Sequence, residues 1–158
     1  MDRKVAIREF EPGDEACFRT LNEEWISHYF KMEDKDREAL DHPRSAILAK
    51  GGRIFFALVD GECVGCCALL RLADGEFEVA KMAVSSSLRG GGIGRVLLAA
   101  VVEAARASGA RRLYLETNSI LGPAIRLYES IGFRHLPPER VQPSPYARAN
   151  VYMELVFD

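Results

Sequence analysis

The chain has 158 residues, enough for one domain of ordinary size and too few for two separate cores. A composition 48% hydrophobic and 28% charged suits a packed core under a solvated surface and excludes a disordered or fibrous chain. Lys plus Arg number 21 against 23 Asp plus Glu, so a formal charge of -2 sets up no global field for nucleic acid or an anionic membrane.

Met1-Asp2-Arg3-Lys4 is followed by alternation rather than a continuous apolar stretch, which is not the pattern of a secretory signal. The apolar run Val96 to Val102 is well short of the about 20 residues that a membrane span needs. The expectation is a cytoplasmic protein, with no nucleic acid and no membrane among its partners. Val5 to Phe10 suits a first strand, and Pro12-Gly13-Asp14 turns the chain, with Asp14 placed to cap a helix. In that helix Phe18, Leu21, Trp25 and Tyr29 recur at helical spacing and form an apolar face. Lys31 to Leu40 is charged and reads as an exposed second helix or loop.

Arg53 to Val59 and Glu62 to Leu70 read as strands joined by Asp60-Gly61, a hairpin signal; Asp74-Gly75 then turns the chain into a strand over Glu76 to Val84. Cys63 and Cys66 have the Cys-x-x-Cys spacing, but residues three apart on a strand point to opposite faces and cannot share a metal or a disulfide. With Cys17 and Cys67 they read as small buried apolar residues. His28, His42 and His135 show no ligand pairing, so no metal site is expected.

From Ile93 the period becomes helical: Ile93, Val96, Leu97, Ala100, Val101 and Ala104 make one face, and Gly109 is placed to end the helix. Arg112 to Thr117 reads as a strand, Pro123 to Ile131 as a short helix between Pro and Gly132, and Phe133 to Leu136 and Val151 to Phe157 as strands. The pattern predicts an α+β fold, a mixed and mostly antiparallel sheet of six to seven strands flanked by about four helices, with one βαβ unit in its second half, all in a single domain over 1–158.

The chemistry concentrates where that βαβ unit begins. Arg89-Gly90-Gly91-Gly92-Ile93-Gly94 joins a strand to a helix, and the missing Cβ atoms let a ligand reach the free N–H groups of the first helical turn. The helix dipole, Arg89 and Arg95 add positive charge, which suits a diphosphate. The dinucleotide pattern Gly-x-Gly-x-x-Gly fails because Arg95 and Leu97 stand where its third glycine would fall, and the phosphate loop ending Gly-Lys-Ser/Thr is absent.

The stretch Glu76 to Phe133 resembles the core of the GNAT superfamily of acyl-CoA N-acyltransferases. Arg89, Gly92 and Gly94 match the family's phosphate turn, and Lys81-Met82-Ala83-Val84 is similar to the strand that runs beside its pantetheine arm. Leu115-Glu116-Thr117-Asn118, Ala124-Ile125-Arg126-Leu127-Tyr128-Glu129 and Gly132-Phe133 resemble the second half of the cofactor site. The resemblance implies acetyl-CoA as cosubstrate and an amine, small-molecule or peptide, as acceptor, attacked directly in a ternary complex.

It also implies roles. Met82, Ala83 and Val84 would offer backbone groups to the arm, while Arg89, Gly90, Gly91, Gly92, Ile93, Gly94 and Arg95 would hold the diphosphate. Asn118 would bond the arm or orient the amine. Tyr128, whose alternative is a place in the core beside Ala124, Leu127 and Ile131, would protonate the departing thiolate. Glu78 is the first candidate for the base and Glu116 the second. Trp25, Tyr29 and Phe30 could line an acceptor pocket against Pro143-Ser144-Pro145-Tyr146, and Glu23 and Glu24 could attract a cation or simply face solvent. A catalytically silent CoA-binding module, a dinucleotide-binding oxidoreductase with Glu116 as its ribose acid, and a homodimer are the open alternatives.

Overall fold

The computed structural model describes residues 4–158; Met1, Asp2 and Arg3, on which the expectation about a signal segment partly rests, lie outside the described residues. One sheet of seven strands organises the fold, in the order β1-β2-β3-β4-β5-β7-β6. Its strands are β1 (Val5–Glu9), β2 (Arg53–Val59), β3 (Glu62–Ala73), β4 (Glu76–Val84), β5 (Arg112–Thr117), β6 (Arg134–His135) and β7 (Val151–Val156). All neighbours are antiparallel except β4 and β5. The helices are α1 (Glu15–Tyr29), α2 (Asp34–Asp41), the single turn α3 (Pro43–Ala46), α4 (Ile93–Ala107) and α5 (Gly122–Ile131).

Strand alternation divides the core into two layers. On one face Phe55, Ala57, Cys67, Leu69 and Val79 pack under Leu97, Leu98, Val101 and Val102 of α4. On the other, Ile54, Phe56, Cys66 and Ala68 pack under Phe18, Leu21 and Ile26 of α1 and Leu40 of α2. The single apolar face expected of each helix thus covers one side of the sheet.

Several expectations are corrected. Asp14 stands at the N-cap position of α1 but makes no side-chain capping bond: its carboxylate accepts the Glu11 N–H at 2.7 Å and is held by Arg8 at 2.7 and 3.2 Å, so the side chain ties the turn to β1 instead. The face of α1 rotates slightly, burying Asn22 and Ile26 and leaving Tyr29 at 40% exposure. The strand expected over Phe133 to Leu136 shrinks to Arg134–His135, because only these two residues find a ladder on β7. Cys17 and Cys63 are not independent apolar fillers but a disulfide joining α1 to β3 across a separation of 46 residues. The strand argument holds within β3, where Cys63 and Cys66 do not pair, but it could not see a partner on a helix. Cys66 and Cys67 are free and buried.

Candidate active site

The site opens where β4 and β5 stop pairing. Their parallel ladder runs through Glu76↔Arg112, Phe77↔Leu113 and Glu78↔Tyr114 and then ends, so the later residues of both strands part in a wedge. Beyond that point β4 keeps its partner β3, with Cys66 opposite Ala83 and Gly65 opposite Val84, and its other edge is left for an extended ligand. The β3–β4 register slips between Cys66 and Ala68 in a bulge. There Lys81 takes φ 54°, a left-handed backbone rarely adopted by a residue with a Cβ, and its side chain ends almost fully buried.

Two cavities meet in the wedge. An open groove of ≈ 560 Å³ runs along Met82, Ala83 and Val84, past Leu88, Arg89, Gly90 and Gly94, and along Pro123, Ala124 and Leu127 of α5. A smaller chamber of ≈ 110 Å³ lies deeper, lined by Asn22 and Phe30 of the α1 segment, Glu78 and Lys81 of β4, Glu116 of β5, and Tyr146 and Arg148 of the late loop. Trp25, Met82, Leu121 and Tyr128 line both.

At the groove's far end, Gly92 is the residue before α4 and has φ 85°, and Gly90 has φ 83°. A Cβ on either would meet nothing within 4 Å, so this turn is shaped by backbone conformation and faces open space. No side chain caps the first N–H groups of α4, which is the arrangement that receives an anion. Arg89 turns back onto β4, donating from Nε to the Val84 carbonyl at 3.1 Å and standing 3.5 Å from Glu24. Its Nη2, the atom that faces Glu24, is buried and makes no hydrogen bond. A diphosphate fits the uncapped helix start. Arg95, on the first turn of α4, is exposed.

In the chamber the two carboxylates have different surroundings. Glu116 accepts the Tyr114 hydroxyl at 2.9 Å and the Ser144 hydroxyl at 2.6 Å. Glu78 accepts neither hydroxyl; burial first, and then repulsion by Glu116, push its carboxyl up to about 7 against the opposing pull of Lys81. Tyr128 packs edge-on against Phe133 with ring centroids 6.0 Å apart, and burial raises its hydroxyl well above the ordinary tyrosine range. It packs against the core, and the residue lines both chamber and groove. Asn118 lines the chamber too, but its amide is engaged: Nδ2 donates to the Arg148 carbonyl at 2.6 Å and Oδ1 accepts the Ile120 N–H at 2.9 Å. Its visible work is to fasten the late loop to the segment before α5.

Asp36, Lys81, Arg148 and Asn22 were not legible as site residues. Asp36 and Arg148 are 112 residues apart, and only folding makes them partners. Asn22 is buried on the apolar face of α1, where its Nδ2 donates to the Phe18 carbonyl at 3.0 Å. The one available signal was Glu33 with Asp36, which form a capping box at the start of α2. Among the described residues no group of three or more His, Cys, Asp or Glu side chains is placed to hold a metal ion.

The architecture is a mixed sheet split by a wedge, with an uncapped, glycine-rich helix start at one end. The model of the acetyltransferase (GNAT) family matches residues 15–133, and the chain belongs to that family. It is 38% identical over 80 residues to the uncharacterized N-acetyltransferase YjgM of Escherichia coli, covering 49% of this chain and 48% of that one. The chain spans about half the length of the curated relatives it matches. Its fold is that of a GNAT-family acetyltransferase of Staphylococcus aureus, with a TM-score of 0.84, 21% identity, and coverage of 96% of this chain and 98% of the other. An acetyltransferase of Bacillus subtilis in complex with CoA superposes with a TM-score of 0.72 at 20% identity over 98% and 99% of the two chains. No helix among the described residues is long and apolar enough to cross a membrane.

Proposed function

We propose that this protein is an N-acetyltransferase that binds acetyl-CoA in the groove and an amine in the chamber, and joins them at Tyr128 and Met82. The observation that carries this is the meeting of the two cavities at four shared residues, with a raised carboxyl on one side and a protonated hydroxyl at the junction. Acetyl-CoA supplies an acyl thioester. The amide N–H groups before and within the first turn of α4 hold its diphosphate together with Arg89, and the free edge of β4 at Met82 to Val84 bonds the amide-rich arm.

Glu78 takes the proton from the incoming ammonium. A carboxyl near 7 divides its population between the two forms at neutral pH, which is where a general base transfers protons most effectively. As the amide N–C bond forms and the C–S bond breaks, Tyr128 gives its hydroxyl proton to the departing sulfur, and the second proton shed by the nitrogen returns to the Tyr128 oxygen, so that amide and thiol form with one proton left on Glu78. Asn118 positions the late loop that walls the chamber.

The test follows free thiol while the protein is incubated with acetyl-CoA and a panel of amines, with melting temperature read in parallel for CoA, NAD and ATP. Thiol release that requires an amine, and a melting shift confined to CoA species, are expected. Saturating ligand at 100 times its dissociation constant stabilises by about 2.7 kcal/mol, enough to read. Equal shifts with NAD, or CoA binding without turnover on any amine, would overturn the proposal in favour of an oxidoreductase or a silent module.

A further inference from the structure

The chamber is closed on its outer side by a buried charge cluster that the mechanism does not use. Asp36, 0% exposed at the start of α2, accepts from Lys81 Nζ at 2.7 Å and from Arg148 Nη1 and Nη2 at 2.8 and 2.6 Å. Arg148 also reaches Glu33 at 3.2 Å. Tyr146 is held in the same cluster, its hydroxyl 3.1 Å from Lys81 Nζ and its ring 4.6 Å from both cations. Three distant parts of the chain are thereby locked together: the entry to α2, the bulge of β4 and the late loop.

Two consequences follow for an acceptor. The first is size: ≈ 110 Å³ is well below the roughly 300 to 1,000 Å³ of common ligand pockets. The chamber is the smaller of the two cavities that meet in the wedge, and a short acceptor suits it better than a long one. The second is charge. Both cations are matched by Asp36 and Glu33, so neither is left to receive a carboxylate, and the acidic groups left facing the cavity are Glu78 and Glu116. A short ammonium is attracted there and a carboxylate beside the nitrogen is repelled.

We propose that the Asp36–Lys81–Arg148 cluster sets acceptor specificity by holding the late loop over the chamber, so that the acceptor is a short cationic amine and neither an α-amino acid nor a peptide N-terminus. The proposal rests on the transferase reading above. Its test compares kcat/KM for ethylamine, 1,4-diaminobutane, glycine and trialanine, with acetyl-CoA, in the wild type, Arg148→Ala and Tyr146→Ala. Removing Arg148 leaves Asp36 paired with Lys81, whereas Asp36→Ala would strand two buried cations. Tyr146→Ala opens the same wall without removing a charge, and serves if Arg148→Ala fails to fold.

The wild type is expected to favour the two short amines over glycine and trialanine by about 100-fold, the scale on which misplacement in a site costs rate. Each variant should narrow the gap to trialanine at least about tenfold, mainly through KM for the peptide. Wild-type turnover of trialanine or glycine equal to that of the short amines, or an unchanged ratio in a folded variant, overturns the specificity proposal while the transferase stands. A wild type inert toward all four, yet stabilised by CoA, overturns the transferase reading and the specificity proposal with it.

Discussion

At the scale of single residues, Tyr128 separates packing from chemistry. Tyr128→Phe keeps the ring against Phe133 and removes only the hydroxyl proton, so kcat should fall by about 10²- to 10⁴-fold with CoA affinity and urea stability nearly intact. Single-turnover acetyl transfer and unfolding on one preparation check this; full activity in the mutant would leave water to protonate the thiolate. Glu78 yields a prediction with a sign. Its folded carboxyl lies near 7 against an ordinary 4.5, so the ionised form is the costly one: its stabilising effect is complete below about 4.5 and is lost as pH rises through 7. Activity runs the other way, since the base must be ionised, and kcat/KM should decline as pH falls through about 7. Glu78→Gln should therefore be less active yet more thermostable than the wild type at pH 8, with that advantage vanishing at pH 4. A mutant that is less stable at pH 8 would show that the carboxylate is not strained by burial. Tyr128 and Glu78 could be proposed from the sequence, the first from a family resemblance and the second as a carboxylate on the strand before the glycine turn, and both line the chamber. Lys81, Asp36 and Arg148 could not, because a bulge and a contact across 112 residues have no local trace.

At the scale of elements, the strand-to-helix turn was read almost to the residue from glycine spacing, and α4 starts at Ile93 as its period predicts. What spacing could not give was the conformation within the turn. Gly92 has φ 85° with open space where a Cβ would go, so Gly92→Val acts through backbone strain and through the place where the diphosphate approaches, not by a clash within the protein. CoA affinity should drop at least about tenfold, while circular dichroism stays that of the wild type. Undiminished affinity in the folded mutant would put the phosphates elsewhere. The brevity of β6 and the side-chain tie made by Asp14 were hidden for a related reason: both depend on what lies across the sheet or the turn, not on the residues' own propensities.

At the scale of the whole molecule, helix and strand periods were enough to predict a mostly antiparallel sheet between helices with one βαβ unit, while the order of the strands comes from the structure. The Cys17–Cys63 bond was beyond that reach. It ties α1, which carries Trp25 into the site, to β3, and so couples stability to redox state. Reduction, or Cys63→Ser, should cost about 2 to 4 kcal/mol and lower the melting temperature, with Cys66→Ser as a control that breaks no cross-link. An identical melting curve with and without reductant would mean that the bond does not form in solution. The four residues shared by chamber and groove carry a last consequence, for the order of events in time. In the proposed reaction the amine lies on the chamber side of them and the thioester on the groove side, so transfer needs both bound at once and no acyl group held on the protein. Initial rates measured against both substrates should therefore give intersecting double-reciprocal lines rather than parallel ones.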